Sequence, residues 1–242
     1  MALAQGWTAF AQYYDRVYSK KDYRAEANKI HSLIRRFGRS RGKDLLDAAC
    51  GTGNHIRFLQ KEYHINGLDL SPHMLAIARK KYPSLQFFQK DMAAFHLKKR
   101  FDAVISLFSS IGYLKTYRRL NQAIACFTRH LKPGGILIME PFLSKKTYDA
   151  KRLSALFVDQ PDVKIARINQ SKREGNIAIL DFHYLIGTAQ RVDYIKDRHE
   201  LALFEPSKVL ALMKQNSFSA RFLKDGLLPG RGLYVGIKHT SL

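Results

Sequence analysis

Apolar and polar positions alternate along the first 140 or so residues in the manner of strands that are followed by helices. Strand-like apolar runs lie at 43–48, 63–69, 84–89, 101–107 and 135–140, and helical spacing lies at about 23–37, 54–61, 72–81 and 117–131. Ser71-Pro72 is typical of a helix start, and Pro133-Gly134-Gly135 predicts a break before the fifth strand. Such alternation predicts a parallel sheet that is covered by helices on both faces.

The pattern changes between about 142 and 204, where strand-like stretches follow one another without helices. They lie at 163–168, 177–186 and 191–204, and a helix at about 206–215 and a hairpin of 218–224 with 232–238 follow. We therefore predict an α/β fold, a doubly wound and mostly parallel seven-stranded sheet. Residues 1–141 and 205–242 form this core, and 142–204 form an inserted antiparallel β flap.

Aromatic residues are concentrated at the start of the chain, at Trp7, Phe10, Tyr13, Tyr14 and Tyr18, with nearly helical spacing. Such a segment forms either a helix that docks on the core or an aromatic lid over a ligand site. Both interpretations stay open at this point.

The stretch from Leu45 to His55 is the strongest candidate for a ligand site. Its apolar run ends in an acid, turns through Gly51 and Gly53, and opens into a helix. Glycine allows a tight turn and a close approach of the backbone to a ligand, and a helix start favours anionic groups. Asp69 ends the next strand at about the spacing at which an acid reaches ribose hydroxyls. These features predict a nucleoside cofactor site, although the third glycine of the dinucleotide fingerprint is missing.

In a parallel sheet of this kind, ligands bind beyond the carboxyl ends of the strands. The residues predicted at those ends are Asp47 to Gly53, Asp69 and Leu70, Asp91 and Met92, Phe108 to Tyr113, and Glu140 to Phe142. Those predicted to contact the cofactor are Ala49, Gly51, Thr52, Gly53, Asp69, Leu70, Asp91, Met92 and Phe108. Asp91 and the backbone at Met92 could pair with an adenine ring. Tyr113 and, on the flap, His183 are the candidate bases. The loop after the fourth strand has no cluster of carboxylates and histidines, so we predict no metal.

The formal net charge is +21 for 242 residues. It is compatible with a nucleic-acid partner, an anionic small substrate, or a solvated basic exterior. With only two cysteines, Cys50 and Cys126, reduced thiols are expected rather than a disulfide. No apolar run approaches the roughly 18 residues of a membrane span, and no signal peptide is recognisable, so we expect a cytoplasmic protein and no membrane partner.

The string Asp47-Ala48-Ala49-Cys50-Gly51-Thr52-Gly53, with Gly67-Leu68-Asp69-Leu70-Ser71 downstream, resembles the S-adenosylmethionine (SAM) site of class I methyltransferases. The strings Ser109 to Leu114, Arg173-Glu174-Gly175-Asn176 and Gly230 to Gly236 resemble a narrower group. That group is the nucleotide-sugar N,N-dimethyltransferases, which act on dTDP-linked deoxyamino sugars of macrolide pathways.

This resemblance implies a role for each matching residue. Tyr14, Tyr23 and Met74 would lie near SAM with the strand-end residues named above, and Tyr113 would lie beside the sugar amine. Arg167 and Arg231 would bind the nucleotide diphosphate, because the guanidinium fork binds phosphate oxygens two at a time. Phe142 would contact substrate, where it and Leu143 replace two tryptophans that are typical of the family.

Three hypotheses remain. The first is a SAM-dependent N-methyltransferase acting on a small anionic amine, such as a nucleotide-linked amino sugar, with a homodimer as one option for its assembly. The second is another small-molecule methyltransferase or an RNA methyltransferase that uses the basic surface. The third is a SAM-binding or nucleotide-sensing protein without turnover. The fold alone does not separate them.

Overall fold

The computed structural model describes residues 10–240, so the prediction for Trp7 lies outside the described residues. The helices are α1 Tyr14–Val17, α2 Tyr23–Phe37, α3 Ile56–Leu59, α4 Pro72–Lys81, α5 Tyr117–His130 and α6 Pro206–Gln215, with 3-10 turns at Ala11–Tyr13 and Ser110–Leu114. The first strands are β1 Asp44–Ala48, β2 His64–Asp69, β3 Gln86–Gln89, β4 Phe101–Ser106 and β5 Leu131–Met139. The later strands are β6 Leu153–Gln160, β7 Val163–Glu174, β8 Ile177–Gly187, β9 Val192–Ala202, β10 Phe218–Leu223 and β11 Leu233–Lys238.

Seven strands form one sheet in the order β10-β11-β5-β4-β1-β2-β3. The five strands from the first half of the chain are parallel to one another, and β11 is antiparallel to both β5 and β10. The predicted doubly wound, mostly parallel sheet is therefore confirmed. Its strand order reverses next to β1, the place where such sheets bind ligands.

Side-chain caps explain why the main helices start where they do. Asp22 accepts a hydrogen bond from the Ala25 N–H at 2.9 Å and begins α2. Ser71 accepts from the Met74 N–H at 3.3 Å, directly before Pro72 at the first position of α4. These side chains satisfy N–H groups that have no partner inside the helix.

The break predicted at Pro133-Gly134-Gly135 is wrong in its position. The helix ends at His130 and β5 begins at Leu131, so this tripeptide lies inside the strand. The register with β4 shifts there, from Phe101 opposite Leu131 to Ala103 opposite Ile136. Gly134 has φ +72°, which glycine adopts without strain, and it makes the bulge that lets the strand continue.

Apolar layers cover both faces of the large sheet. One layer packs α5 and α6, with Leu120, Phe127 and Met213, against β4 and β5. The other packs α2, α3 and α4, with Ile30 and Leu75, on the opposite face. These two layers hold the strand ends, and therefore the site, in fixed positions. None of the helices within residues 10–240 is long and apolar enough to cross a membrane.

The segment between β5 and α6 forms a separate antiparallel sheet in the order β6-β7-β8-β9. The three predicted strands are present, and β7 extends beyond the predicted end at 168 as far as Glu174. The sequence analysis missed β6, because its apolar residues occur on both faces. Leu156 contacts an apolar cluster, whereas Phe157 is 66% exposed. The segment therefore lacks the alternation of apolar and polar positions that predicts a strand.

The N-terminal aromatic residues pack mainly on this second sheet. The ring of Phe10 lies 4.3 Å from that of Tyr184, centroid to centroid, and Tyr13, Tyr14 and Tyr18 join the same cluster. The segment is a 3-10 turn followed by one helical turn. It connects the four-stranded sheet with the turn after β1 and therefore covers the ends of the parallel strands.

Gly67 in β2 provides a test of the packing beside that turn. A Cβ at this position would lie 2.5 Å from the Phe87 ring and 2.9 Å from the Cys50 sulfur. We predict that Gly67→Ala lowers the free energy of unfolding by about 1–3 kcal/mol, measured by denaturant titration. Gly187→Ala is the control, because a Cβ there meets nothing closer than 3.9 Å. Equal effects of the two changes would contradict the packing.

Candidate SAM and substrate site

One cavity of about 1280 Å³ lies at the carboxyl ends of the parallel strands, under the N-terminal segment and against the four-stranded sheet. It has the size of a cofactor site together with a substrate site. Most of the predicted site residues line it: Tyr14, Tyr23, Ala49, Gly51, Thr52, Asp69, Leu70, Met74, Asp91, Met92, Phe108, Tyr113, Phe142, Arg167 and Arg231. The roles predicted for them stay predictions.

The turn after β1 presents backbone to the cavity. Ala49, Gly51 and Gly53 all have positive φ, and nothing lies within 4 Å of where a Gly51 Cβ would stand. A ligand can therefore approach the Gly51 backbone directly. Gly53 does not line the cavity. It faces the Tyr82 ring, which would lie 2.8 Å from a Cβ at this position. Its contribution is to the turn, so the prediction of direct cofactor contact is not supported for Gly53.

Two carboxyl groups face this turn, Asp47, which is buried, and Asp69, which is half-buried. Asp69 accepts hydrogen bonds from the N–H groups of Gly51 and Ser71, both at 2.8 Å. Asp47 is 2% exposed, and burial together with the neighbouring Asp69 raises its pKa to about 7. Neither carboxyl forms an ion pair with a lysine or arginine in residues 10–240. The pair therefore favours a cationic ligand.

SAM fits this site because it carries both a sulfonium and an ammonium group. Asp69 stands where ribose hydroxyls could donate to it, Asp47 offers a negative partner, and Gly51 leaves room for close approach. A neutral or anionic nucleotide would leave the two carboxyl groups without compensation. The chemistry of the donors therefore matches the predicted cofactor.

The N-terminal segment is tied to the turn by one carboxylate. Asp15 accepts hydrogen bonds from the Thr52 hydroxyl at 2.6 Å and from the Asn54 side-chain amide at 2.9 Å. It also pairs with Lys81 at 2.5 Å. These contacts close the segment over the cavity, which agrees with the lid interpretation of the aromatic stretch.

Asp91 stands at the end of β3 but already has two partners. It accepts from the Ala93 N–H at 2.8 Å and pairs with Arg119, which also lines the cavity. A carboxylate can accept further hydrogen bonds, so the adenine role stays a prediction. Arg119 could not be predicted as a cavity residue, because its position fits the ordinary helical pattern of α5.

The loop after β4 is held in a strained conformation by buried polar groups. Phe108 and Ser109 have φ of +52° and +66°, which is costly for residues with a Cβ. The Phe108 N–H donates to Glu140 at 2.6 Å, and the Ser109 hydroxyl accepts from Arg231 at 2.7 Å. Burial raises the pKa of Glu140 to about 6. These contacts hold the loop, including Tyr113, at the cavity in spite of its strained backbone.

Two arginines supply the positive side of the cavity. Arg231 lies 5.0 Å from the ring centre of Phe142 and 6.0 Å from that of Phe108. Arg167 on β7 lies 4.9 Å from the ring centre of Phe182. Stacking on aromatic rings fixes the guanidinium planes while their N–H groups remain able to bind an anion.

The two candidate bases have different positions. Tyr113 lines the cavity, and its hydroxyl lies 2.7 Å from Nδ1 of His199. Burial raises the pKa of Tyr113 well above its usual value, so its ionised form is disfavoured. His183 does not line the cavity; its Nδ1 contacts the Tyr194 hydroxyl at 2.6 Å on the other face of the sheet. The prediction that His183 is a base is therefore not supported, because its side chain is directed away from the cavity.

Several cavity residues were absent from the predicted set. They include Asp47, Lys21 and His199. Asp47 had a signal, since it is the acid that ends the apolar run of β1. His199 had no such signal, because the pairing of β9 with β8 decides which face of the sheet its side chain occupies. Lys21 is positioned over the rings of Tyr23 and Phe108 by the fold of the N-terminal segment.

A family model described as a methyltransferase domain matches residues 45–135. The sheet order, the turn after β1 and the acid at the end of β2 define a class I SAM-dependent methyltransferase. The first half of the chain thus forms the cofactor-binding part of an enzyme.

Proteins that are similar over most of this chain belong to a narrower group of methyltransferases. The dTDP-3-amino-3,4,6-trideoxy-alpha-D-glucopyranose N,N-dimethyltransferase of Streptomyces venezuelae is 38% identical, over 90% of this chain and 92% of that enzyme. Streptomyces venezuelae DesVI superposes with a TM-score of 0.89 at 38% identity, over 94% of this chain and 98% of that chain. SAM-bound CalS10, an amino pentose methyltransferase of Micromonospora echinaspora, gives 0.84 at 29% identity, over 96% and 97%. The chain belongs to the family of dTDP-amino-sugar N,N-dimethyltransferases.

Asp47 yields a prediction that separates stability from binding. Because its folded pKa of about 7 lies above the ordinary 3.8, the protein loses stability as pH rises from about 4 to about 7. Asp47→Asn should therefore raise the thermal midpoint of the ligand-free protein by several degrees at pH 8 and little at pH 4, at roughly 2–4 °C per kcal/mol. The same change should weaken SAM binding about tenfold at pH 8 by calorimetry, since it removes a charge opposite the cation.

The control for Asp47→Asn is Asp159→Asn, because the Asp159 side chain is 83% exposed. It should change neither the thermal midpoint nor SAM binding. A lower midpoint for Asp47→Asn at pH 8 would contradict the account of an uncompensated carboxyl group.

Proposed function

We propose that this protein transfers the methyl group of SAM to the amine of a nucleotide-linked amino sugar. The observation that carries the proposal is one cavity that holds a pair of acids, Asp47 and Asp69, and two ring-stacked arginines, Arg167 and Arg231. The first pair suits the cationic cofactor and the second suits a diphosphate. Relatives that are named for dTDP-amino sugars and amino pentoses support the same acceptor class.

When bound, SAM supplies a methyl group on a sulfonium, which needs no further activation by the protein. The task of the chain is to hold the amine in line with that methyl group, remove water, and leave the amine unprotonated. Tyr14, Tyr18 and Tyr23 enclose the cavity from the N-terminal side. Tyr113 offers a hydroxyl for the amine, and Arg167 and Arg231 position it by binding the distant diphosphate.

A nucleotide sugar also explains part of the basic charge without RNA. Arg167, Arg231 and Lys21 lie in the cavity rather than on an open surface. We expect the reaction in the cytoplasm, as the sequence analysis predicted.

The two halves of the cavity should respond separately to substitution. Asp69→Ala should weaken SAM binding about tenfold to a hundredfold, because hydrogen bonds to a charged group contribute about 1.5–3 kcal/mol. Arg231→Ala should raise KM for a dTDP-amino sugar by a similar factor and change the Kd for SAM by less. Steady-state kinetics and calorimetry measure the two effects.

Arg221→Ala is the matched control, since Arg221 stacks on Phe37 on the exterior of β10 and does not line the cavity. It should leave both constants unchanged. An Arg231→Ala protein that lost SAM and nucleotide-sugar binding equally would argue against a diphosphate role. A wild-type protein without turnover on any nucleotide-linked amine would argue against the function itself.

A homodimer that pairs the exposed face of the four-stranded sheet is part of this proposal. Phe157, Ala166, Leu185 and Tyr194 form one row across all four strands. Phe157, Leu185 and Tyr194 are 66%, 53% and 62% exposed. A contiguous apolar face of this kind is typical of an interface, and a second copy would present the same row to it.

Leu185→Lys should convert the dimer to a monomer, because it places a charge in the centre of the row. Size-exclusion chromatography with light scattering measures the mass. Gln60→Lys adds the same charge at an exposed position directly after α3, outside the four-stranded sheet, and should leave the dimer intact. A wild-type protein that is a monomer at all concentrations would contradict the pairing.

A further inference from the structure

A buried histidine and aspartate lie directly behind Tyr113. The Tyr113 hydroxyl is 2.7 Å from Nδ1 of His199, and Nε2 of His199 is 3.0 Å from Oδ2 of Asp197. His199 is 5% exposed and Asp197 is 2% exposed, both on β9. The three groups form a chain from the cavity into the flap sheet. Neither His199 nor Asp197 is explained by cofactor or diphosphate binding.

The geometry points to a proton relay: we propose that Tyr113, His199 and Asp197 carry the amine proton away from the reacting nitrogen. This inference rests on the proposed function, since it needs an amine as the methyl acceptor. In it Tyr113 contacts the amine, while His199 and Asp197 act through Tyr113. His199 receives the proton and Asp197 is a positioning residue.

The proton balance of the reaction requires such a route. An amino group reaches the enzyme largely as an ammonium ion at neutral pH and must lose a proton to expose its lone pair. The nitrogen then forms a bond to the methyl carbon while the carbon–sulfur bond breaks and its electron pair stays on sulfur. One proton is therefore released for each methyl group transferred, and a second methylation needs the same step again.

The relay moves that proton in two concerted transfers. The amine nitrogen gives its proton to the Tyr113 oxygen, and the Tyr113 hydroxyl gives its own proton to Nδ1 of His199. The tyrosine is neutral before and after, which agrees with a burial that disfavours its ionised form. The resulting imidazolium lies beside Asp197 and loses its proton to water when the products leave and the cavity opens.

Asp197 is placed to set the tautomer of His199. Its buried Oδ2 lies beside Nε2 of His199 and has no further partner in the part of the chain that the structure describes. A negative oxygen 3.0 Å from Nε2 favours the tautomer with the proton on Nε2. Nδ1 then carries the lone pair that accepts from Tyr113. The same oxygen stabilises the imidazolium once the proton has arrived.

The surrounding elements contribute further titratable and charged groups to this chain. Tyr18 comes from the N-terminal segment, Arg167 from β7 and Tyr184 from β8, and Asp69 faces Tyr113 across the cavity. The tyrosines have raised pKa values because of burial and stay neutral. In this relay His199 accepts the proton because its Nδ1 lies 2.7 Å from the Tyr113 hydroxyl.

The test is the pH profile of kcat for the purified full-length enzyme with a dTDP-amino sugar and SAM. His199→Gln should lower kcat about a hundredfold at pH 7 and by less than about threefold at pH 9, where the amine loses its proton without help. Tyr113→Phe should give the same profile, and the double variant should be no slower than either single one. Asp197→Asn keeps the shape and should lower kcat about tenfold at pH 7.

His183→Gln is the control, because His183 lies in the same sheet but contacts Tyr194 outside the cavity. It should keep the wild-type profile. SAM binding and the thermal midpoint report whether each variant is folded, and Asp197→Asn carries the test if His199→Gln is not. A loss of kcat that is equal at all pH values would overturn the relay, as would no loss. Absence of wild-type turnover would instead overturn the proposed function.

Discussion

The structure depends on two carboxyl groups that no lysine or arginine of the described residues neutralises. Asp47 and Asp69 stand at the ends of adjacent parallel strands, where Asp47 is buried and Asp69 is half-buried at the cavity. The cost of this arrangement appears as the raised pKa of Asp47. SAM carries a sulfonium and an ammonium group against one carboxylate, and its net positive charge offsets this cost. Cofactor selection therefore follows from a destabilising feature of the fold.

The rest of the site is assembled by contacts that join distant parts of the chain. Asp15 ties the N-terminal segment to the turn after β1, and Glu140 and Arg231 hold the loop after β4 in its strained conformation. Strands β6–β9 close the cavity and bring His199 behind Tyr113. Each of these contacts joins two segments that are distant in the chain and holds them at the cavity. The two ligands are in this way held against each other inside one water-poor space.

Much of the core could be predicted from sequence because its signals are local. The run that ends in Asp47, the two glycines and the cap at Ser71 specify their own conformations. Strand β6 and the face of His199 could not be predicted, since each depends on which strand pairs with which. The same limit applies to His183, because its role depended on which face of the four-stranded sheet meets the cavity. Gly53 is absent from the cavity lining, and its positive φ belongs to the turn.

The most direct test of the central claim is transfer of labelled methyl from SAM to dTDP-amino sugars, free amino sugars and bulk RNA, measured in parallel. The account predicts label on the nitrogen of the nucleotide-linked sugar, with far less on the free sugar, because the free sugar lacks the diphosphate that Arg167 and Arg231 are placed to bind. Label in RNA and none in the nucleotide sugar would contradict the account, since it would assign the basic residues to a different partner.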